Sequence, residues 1–125
     1  QAEATTGETW LDFIGPIGEV QVHAVAPHMH KRGRSMQVEM WDLGAYECML
    51  DLPRWDFDWQ SLYFYEEPVT VKGGWNVRTT CTFDTRGAEQ NVVWGDGTDD
   101  EMCLALFYVT GIPQNVLDEQ YAALE

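Results

Sequence analysis

The sequence predicts an all-β fold: an antiparallel sandwich or barrel of about seven or eight short strands, closed by a short C-terminal helix. Apolar and polar residues alternate with period two along most of the chain, as strands with one buried face require. Glycine-containing turns recur between these stretches, and only the last segment changes to helical spacing. The 125 residues, 45% hydrophobic and 13% aromatic, suffice for one packed domain over 1–125, with its core expected at about 18–110.

The first strand is expected from Glu19 to His30. Its even positions, Val20, Val22, Ala24, Ala26, His28 and His30, fall on one face, and its odd positions include Glu19, Gln21 and His23. After the turn-like Arg32-Gly33-Arg34, alternation resumes over Met36–Trp41. Further strands are expected at Tyr46–Leu50, Leu62–Tyr65, Trp75–Phe83, Val92–Trp94 and Met102–Val109. Leu43-Gly44, Lys72-Gly73-Gly74, Arg86-Gly87 and Gly95-Asp96-Gly97 supply the turns between them. Past Ile112-Pro113, Asn115 is placed to cap a helix in which Leu117, Tyr121 and Leu124 share a face.

Seven Lys and Arg face 21 Asp and Glu, a formal net charge of -14. Charge of that sign, spread along the chain, repels phosphate and argues against nucleic acid and anionic membrane surfaces as partners. No apolar run approaches the roughly 20 residues of a membrane-spanning helix, so no span is expected. The chain opens Gln1-Ala2-Glu3-Ala4, without initiator Met or signal-peptide pattern, and reads as a processed product or excised domain. Cys48, Cys81 and Cys103 allow at most one intramolecular bridge and do not by themselves fix the compartment.

The sharpest chemical feature is Pro27-His28-Met29-His30. Residues two apart in a strand project the same way, their bases about 6–7 Å apart, so the two imidazoles are placed to converge on one metal ion. The same pattern also suits two partly buried histidines bonded to backbone carbonyls. The even phase assigns both to the face of Val20 and Val22, pointing inward or into a mouth. His23 has the opposite phase and reads as a surface residue. A third ligand must come from elsewhere, and Met102 is the candidate. Its phase with Leu104, Leu106 and Tyr108 suits an inward side chain, whether as ligand or as core filler. Two imidazoles and a thioether make a soft, open donor set that favours copper, above all Cu(I), over zinc. The acidic run from Asp96 to Glu101 lacks EF-hand spacing and reads as a solvated turn. The aromatic run Trp55-Asp56-Phe57-Asp58-Trp59-Gln60 reads as packing or, failing that, a sugar-stacking platform.

Taken in order, several groups of residues resemble one known family. They are His28-Met29-His30 with Gly33, Trp55-Asp56-Phe57-Asp58-Trp59-Gln60 with Tyr63, and Cys81 with Phe83-Asp84. Gly95, Thr98 and Asp100-Glu101-Met102-Cys103 with Tyr108 complete the set. The order is similar to the C-terminal catalytic domain of the copper type II, ascorbate-dependent monooxygenases. That family includes peptidylglycine alpha-hydroxylating and dopamine beta-monooxygenases. The likeness runs from about Val20 to Tyr108, and its tryptophan-rich middle is more similar to bacterial members. It implies a jelly-roll-like β-sandwich of eight or nine strands. It also implies one copper ion, as Cu(I) or Cu(II), on His28, His30 and Met102, and a Cys81–Cys103 disulfide with Cys48 free. Such a bridge suits a secreted or periplasmic protein.

In the family this copper activates oxygen for C–H hydroxylation, and a second copper on three histidines of a separate N-terminal domain supplies the other electron. The resemblance therefore implies the oxygen-activating half of a hydroxylase, partnered by a tri-histidine copper domain upstream or in trans. The other reading is a stand-alone copper-binding module for storage, delivery or interaction, without turnover. The amidating enzyme anchors peptides with an Arg two before the first histidine, and with an Asn two after and a Tyr four after the methionine. Here those positions hold Ala26, Leu104 and Leu106, so peptide amidation is not implied.

Overall fold

Two antiparallel sheets pack face to face, as the alternation predicts. The structure is a computed structural model that describes residues 2–8 and 18–123. Its strands are β1 (Ala2–Glu8), β2 (Glu19–His28), β3 (Gly33–Trp41), β4 (Tyr46–Leu52), β5 (Tyr63–Lys72), β6 (Asn76–Phe83) and β7 (Leu104–Thr110), followed by helix α1 (Gln114–Ala122). One sheet has the order β1-β6-β3-β4 and the other β5-β2-β7. Met36, Val38 and Met40 of β3 and Val77, Cys81 and Phe83 of β6 face Val20, Val22 and Val71 of the second sheet across one apolar cluster. The all-β sandwich is therefore as expected, with seven strands among the described residues.

The differences have local causes. Val92–Trp94 forms no strand and contributes a single bridge from Trp94 to Glu101. β1 was not expected, because Ala-Glu-Ala-Thr-Thr-Gly offers no large apolar residue to mark a face; it pairs with β6 at the sheet edge. β5 runs on to Lys72, past Glu66-Glu67-Pro68, where its register with β2 slips and the alternation is broken. Asn115 does not cap α1. The helix begins one residue earlier, and the Pro113 carbonyl accepts the N–H groups of Val116 and Leu117. The shared helix face of Leu117, Tyr121 and Leu124 lies partly outside the described residues.

The most consequential difference is a bulge at His23. Val22 pairs with Val109, but Ala24 pairs with Tyr108, so one residue of β2 is unmatched. Beyond it the phase reverses: Val25 and Pro27 are buried, and Ala26 and His28 turn to the outer face. His28 and His30 thus do not share the face of Val20 and Val22. Leu106 and Tyr108, 61% and 53% exposed, also face outward, which corrects the inward phase expected for them; Met102 precedes β7 and is half-buried.

A disulfide and a hydrogen bond among the described residues join the sheets. Cys81 of β6 is bonded to Cys103, just ahead of β7, with Cα atoms 5.9 Å apart, and Cys48 is free and exposed. Tyr65 of β5 donates its hydroxyl proton to the Met49 carbonyl of β4 at 2.8 Å. Burial and the neighbouring Cys48 push the Tyr65 phenol up to about 12. A phenol raised in the folded state stabilises the fold fully below its unfolded value of about 10, and that contribution is lost as pH rises toward 12. The melting temperature is therefore expected to fall between pH 10 and 12, and Tyr65→Phe to flatten part of that fall. Thermal melts of both proteins from pH 9 to 12 check it; parallel curves would refute the assignment.

Candidate metal centre

His28 and His30 do meet. Their rings lie edge to face with centroids 5.1 Å apart. Each is oriented through Nδ1: His28 Nδ1 is 2.7 Å from Gln60 Oε1, and His30 Nδ1 is 3.0 Å from the Asp100 carbonyl. A carbonyl oxygen only accepts, so the His30 proton sits on Nδ1. Gln60 spends its amide N–H on the Phe57 carbonyl at 3.0 Å, which turns its oxygen to His28 and fixes the same tautomer there. Neither Nε2 has a hydrogen-bond partner among the described residues. Both lone pairs are left free on adjacent rings, the arrangement found when histidines hold a metal and their other nitrogen is tied down.

The turn after the second histidine is held by a buried acid. Glu101, 6% exposed, accepts the His30 N–H at 2.9 Å on one oxygen and the Arg32 N–H at 2.6 Å on the other. The Met102 N–H also reaches that first oxygen, at 3.4 Å. His30 and Met102 are thereby drawn to one carboxylate, and Met102 is half-buried beside it. The acidic run is thus not one solvated turn: Asp96 and Asp99 are exposed, and Glu101 is an internal clamp. Asp100 serves through its carbonyl, and Gly97 curls tightly around its side chain. A Cβ at Gly97 would lie 3.0 Å from Asp100 Oδ2.

The tryptophan-rich segment supports the same pair. The Trp55 indole N–H donates to the His30 carbonyl at 3.0 Å, and its backbone N–H to the Arg34 carbonyl at 2.8 Å. Gly33 lets it lie flat on the turn, because a Cβ there would sit 2.8 Å from Trp55 Cδ1 and 2.9 Å from Met29 Sδ. Phe57 stands edge-on to His30 at 6.1 Å. This segment reads as scaffolding for the histidines, and of its aromatic rings Trp59 is the exposed one, at 79%.

His23 is engaged elsewhere. Its Nε2 is 2.6 Å from Thr110 Oγ1, and its ring packs 5.1 Å from Tyr108. Among the described residues no group of three or more His, Cys, Asp and Glu side chains assembles. The structure brings the two imidazoles together, and ties the Met102 backbone N–H to the same carboxylate that holds the His30 N–H. Two imidazoles joined by a thioether would suit a soft, incompletely surrounded ion, copper before zinc. Sequence reasoning missed Glu101 and Gln60 as supporting groups. The signal for Glu101 was only its position next to Met102, and for Gln60 only its place at the end of the aromatic run.

Comparison with known proteins agrees. The family model described as copper type II ascorbate-dependent monooxygenase, C-terminal domain, matches residues 11–120. DBH-like monooxygenase protein 1 of Homo sapiens is 30% identical over 104 residues, covering 81% of this chain and 17% of that protein. The Gallus gallus protein of that name is 30% identical over 92 residues, 71% of this chain and 15% of the relative. DBH-like monooxygenase protein 2 of Mus musculus is 27% identical over 94 residues, 74% and 15% respectively. The matched regions thus span less than a fifth of the length of these relatives.

Proposed function

We propose, from the premise that this chain belongs to the family of copper type II ascorbate-dependent monooxygenase C-terminal domains, that it binds one copper ion through His28, His30 and Met102 and forms the oxygen-activating half of a C–H hydroxylase. The observation that carries this is the ring pair at 5.1 Å with both Nδ1 atoms engaged and both Nε2 atoms unpartnered among the described residues. Copper held there supplies one-electron redox chemistry toward oxygen. The protein's part is to hold the imidazoles in one tautomer through Gln60 and Asp100, and to fix the intervening turn through Glu101 and Trp55. On this reading residues 1–125 are one copper-binding domain with its core at about 18–110. The Cys81–Cys103 bridge suits a secreted or periplasmic setting.

Metal analysis after dialysis against excess copper tests the assignment. One copper per chain is expected, bound more tightly as Cu(I), and His28→Ala/His30→Ala is expected to lose it. A double variant that keeps full stoichiometry would sink the proposal. Met102→Ala is expected to retain much of the Cu(II) binding, which imidazoles dominate, and to weaken Cu(I) binding selectively.

Hydroxylation consumes two electrons per oxygen molecule, and one copper ion carries one. With ascorbate, the 125-residue chain alone is therefore expected to consume oxygen without tightly coupled product. Adding a tri-histidine copper domain in trans is expected to restore coupling. Copper binding with no product under either condition would leave the stand-alone binding module as the function.

A further inference from the structure

We propose that the pocket between the turn at 31–34 and the segment 55–58 is a binding site for a neutral saccharide. The inference goes beyond the copper reading and does not depend on it.

The aromatic segment has two sides. One holds the histidine turn through the Trp55 indole N–H. On the other, Trp55 and Phe57, both half-buried, join Lys31, Arg34, Asp56 and Asp58 around a pocket of about 370 Å³. That volume lies at the small end of ligand sites, which run from about 300 to 1,000 Å³. Trp59, whose N–H closes the turn onto the Asp56 carbonyl at 3.1 Å, adds an exposed ring on the same loop.

The polar groups around this pocket are of both signs, and the fold uses only part of their capacity. Arg34 spends Nη1 on the Lys31 and Gly33 carbonyls, at 3.4 and 2.9 Å, and its Nη2 lies 3.8 Å from Asp84. Lys31 Nζ is 3.9 Å from Asp99. Asp56 accepts the Asp58 N–H on Oδ1 at 3.0 Å. Its Oδ2 and both oxygens of Asp58 have no hydrogen-bond partner among the described residues.

This balance selects the ligand. An anion placed here meets two carboxylates, and a cation meets an ammonium and a guanidinium. A hydroxyl both donates and accepts, so a polyol satisfies the acids and the bases together. Vicinal hydroxyls also match the paired atoms of a carboxylate or a guanidinium. The C–H face of a sugar ring sheds its water onto Trp55 and Phe57. Two aromatic rings flanked by two acids and two bases therefore suit a neutral sugar better than an ion or a wholly apolar group.

The test is NMR titration of the full chain with neutral and charged oligosaccharides. Cellotetraose, xylotetraose and mannotetraose are the neutral probes; tetragalacturonate and the tetramer of glucosamine are the charged ones. The Trp55 indole N–H signal reports the pocket, and that of Trp94, 60% exposed on another loop, is the control. At least one neutral probe is expected to shift the Trp55 signal with a Kd in the millimolar range or tighter, about tenfold below that of either charged oligomer. Asp58→Ala is expected to weaken that probe about tenfold, as loss of a charge-assisted hydrogen bond does. Its Tm and copper stoichiometry should stay unchanged, because the carboxylate holds nothing in the fold. Asp58→Lys is expected to turn the ranking toward tetragalacturonate. No Trp55 shift with any neutral probe, shifts confined to Trp94, or an indifferent Asp58→Ala variant would overturn the site. A charged oligomer that outbinds every neutral probe would overturn it too. Absence of copper binding would instead defeat the function proposed above and leave this titration readable.

Discussion

Glu101→Ala is expected to lower folding stability by about 2–5 kcal/mol and to weaken copper binding at least tenfold. The carboxylate is buried and takes the N–H groups of His30 and Arg32 at 2.9 and 2.6 Å. Removing it leaves the buried His30 N–H and the partly buried Arg32 N–H without their partner, each at a cost of about 1–3 kcal/mol. The loss falls on the turn that presents His30, and on the backbone of Met102, which shares one of the two oxygens. Glu101→Gln separates charge from shape. Its amide nitrogen cannot accept, so one of the two N–H groups loses its partner and roughly half the penalty is expected. Urea denaturation of the copper-free proteins and competitive copper titration read the two effects. An alanine variant within 0.5 kcal/mol of wild type would show that the turn stands without the clamp.

The second large effect is expected from the disulfide. Cys81→Ser/Cys103→Ser should cost about 3 kcal/mol, the loop-closure value for a bridge across 22 positions. For a chain of this size that corresponds to a fall in Tm of roughly 10 °C. The bridge is also the covalent tie between the sheets, joining β6 to the segment that carries Met102 into β7. The double variant should therefore lose Cu(I) affinity more than Cu(II) affinity. Thermal melts of wild type with and without reductant, beside the variant, check the stability effect. Reduced wild type and the variant should melt together, and a variant that melts with oxidised wild type would refute it.

Much of this was legible in the residues themselves. Met36, Val38 and Met40 alternate and are buried, and the histidine spacing brings the two rings together, because both depend only on the two-residue repeat of a strand. What was not legible depends on pairing between distant segments. Nothing within β2 announces that His23 lacks a partner on β7, so the face assigned to His28 came out inverted. Glu101 looks like one more acid in an acidic turn until Arg32 and His30, about seventy residues earlier, supply their N–H groups. β1 lacked apolar residues to mark it and is recognised only through its pairing with β6.

The bulge has a consequence in terms of parity. Ahead of His23 the core is served by even-numbered positions of β2, and behind it by odd-numbered ones. One strand thus contributes Val20 and Val22 to the interior and still delivers an even-numbered histidine to the opposite side. Flattening the bulge at unchanged length would carry the first parity through the strand, turning His28 inward and Val25 and Pro27 outward, whereas deleting the one unmatched residue would leave regular alternation with His28 still on the outer side. What keeps the histidine side and the core separate is therefore that the residue between Val22 and Ala24 stays out of the pairing.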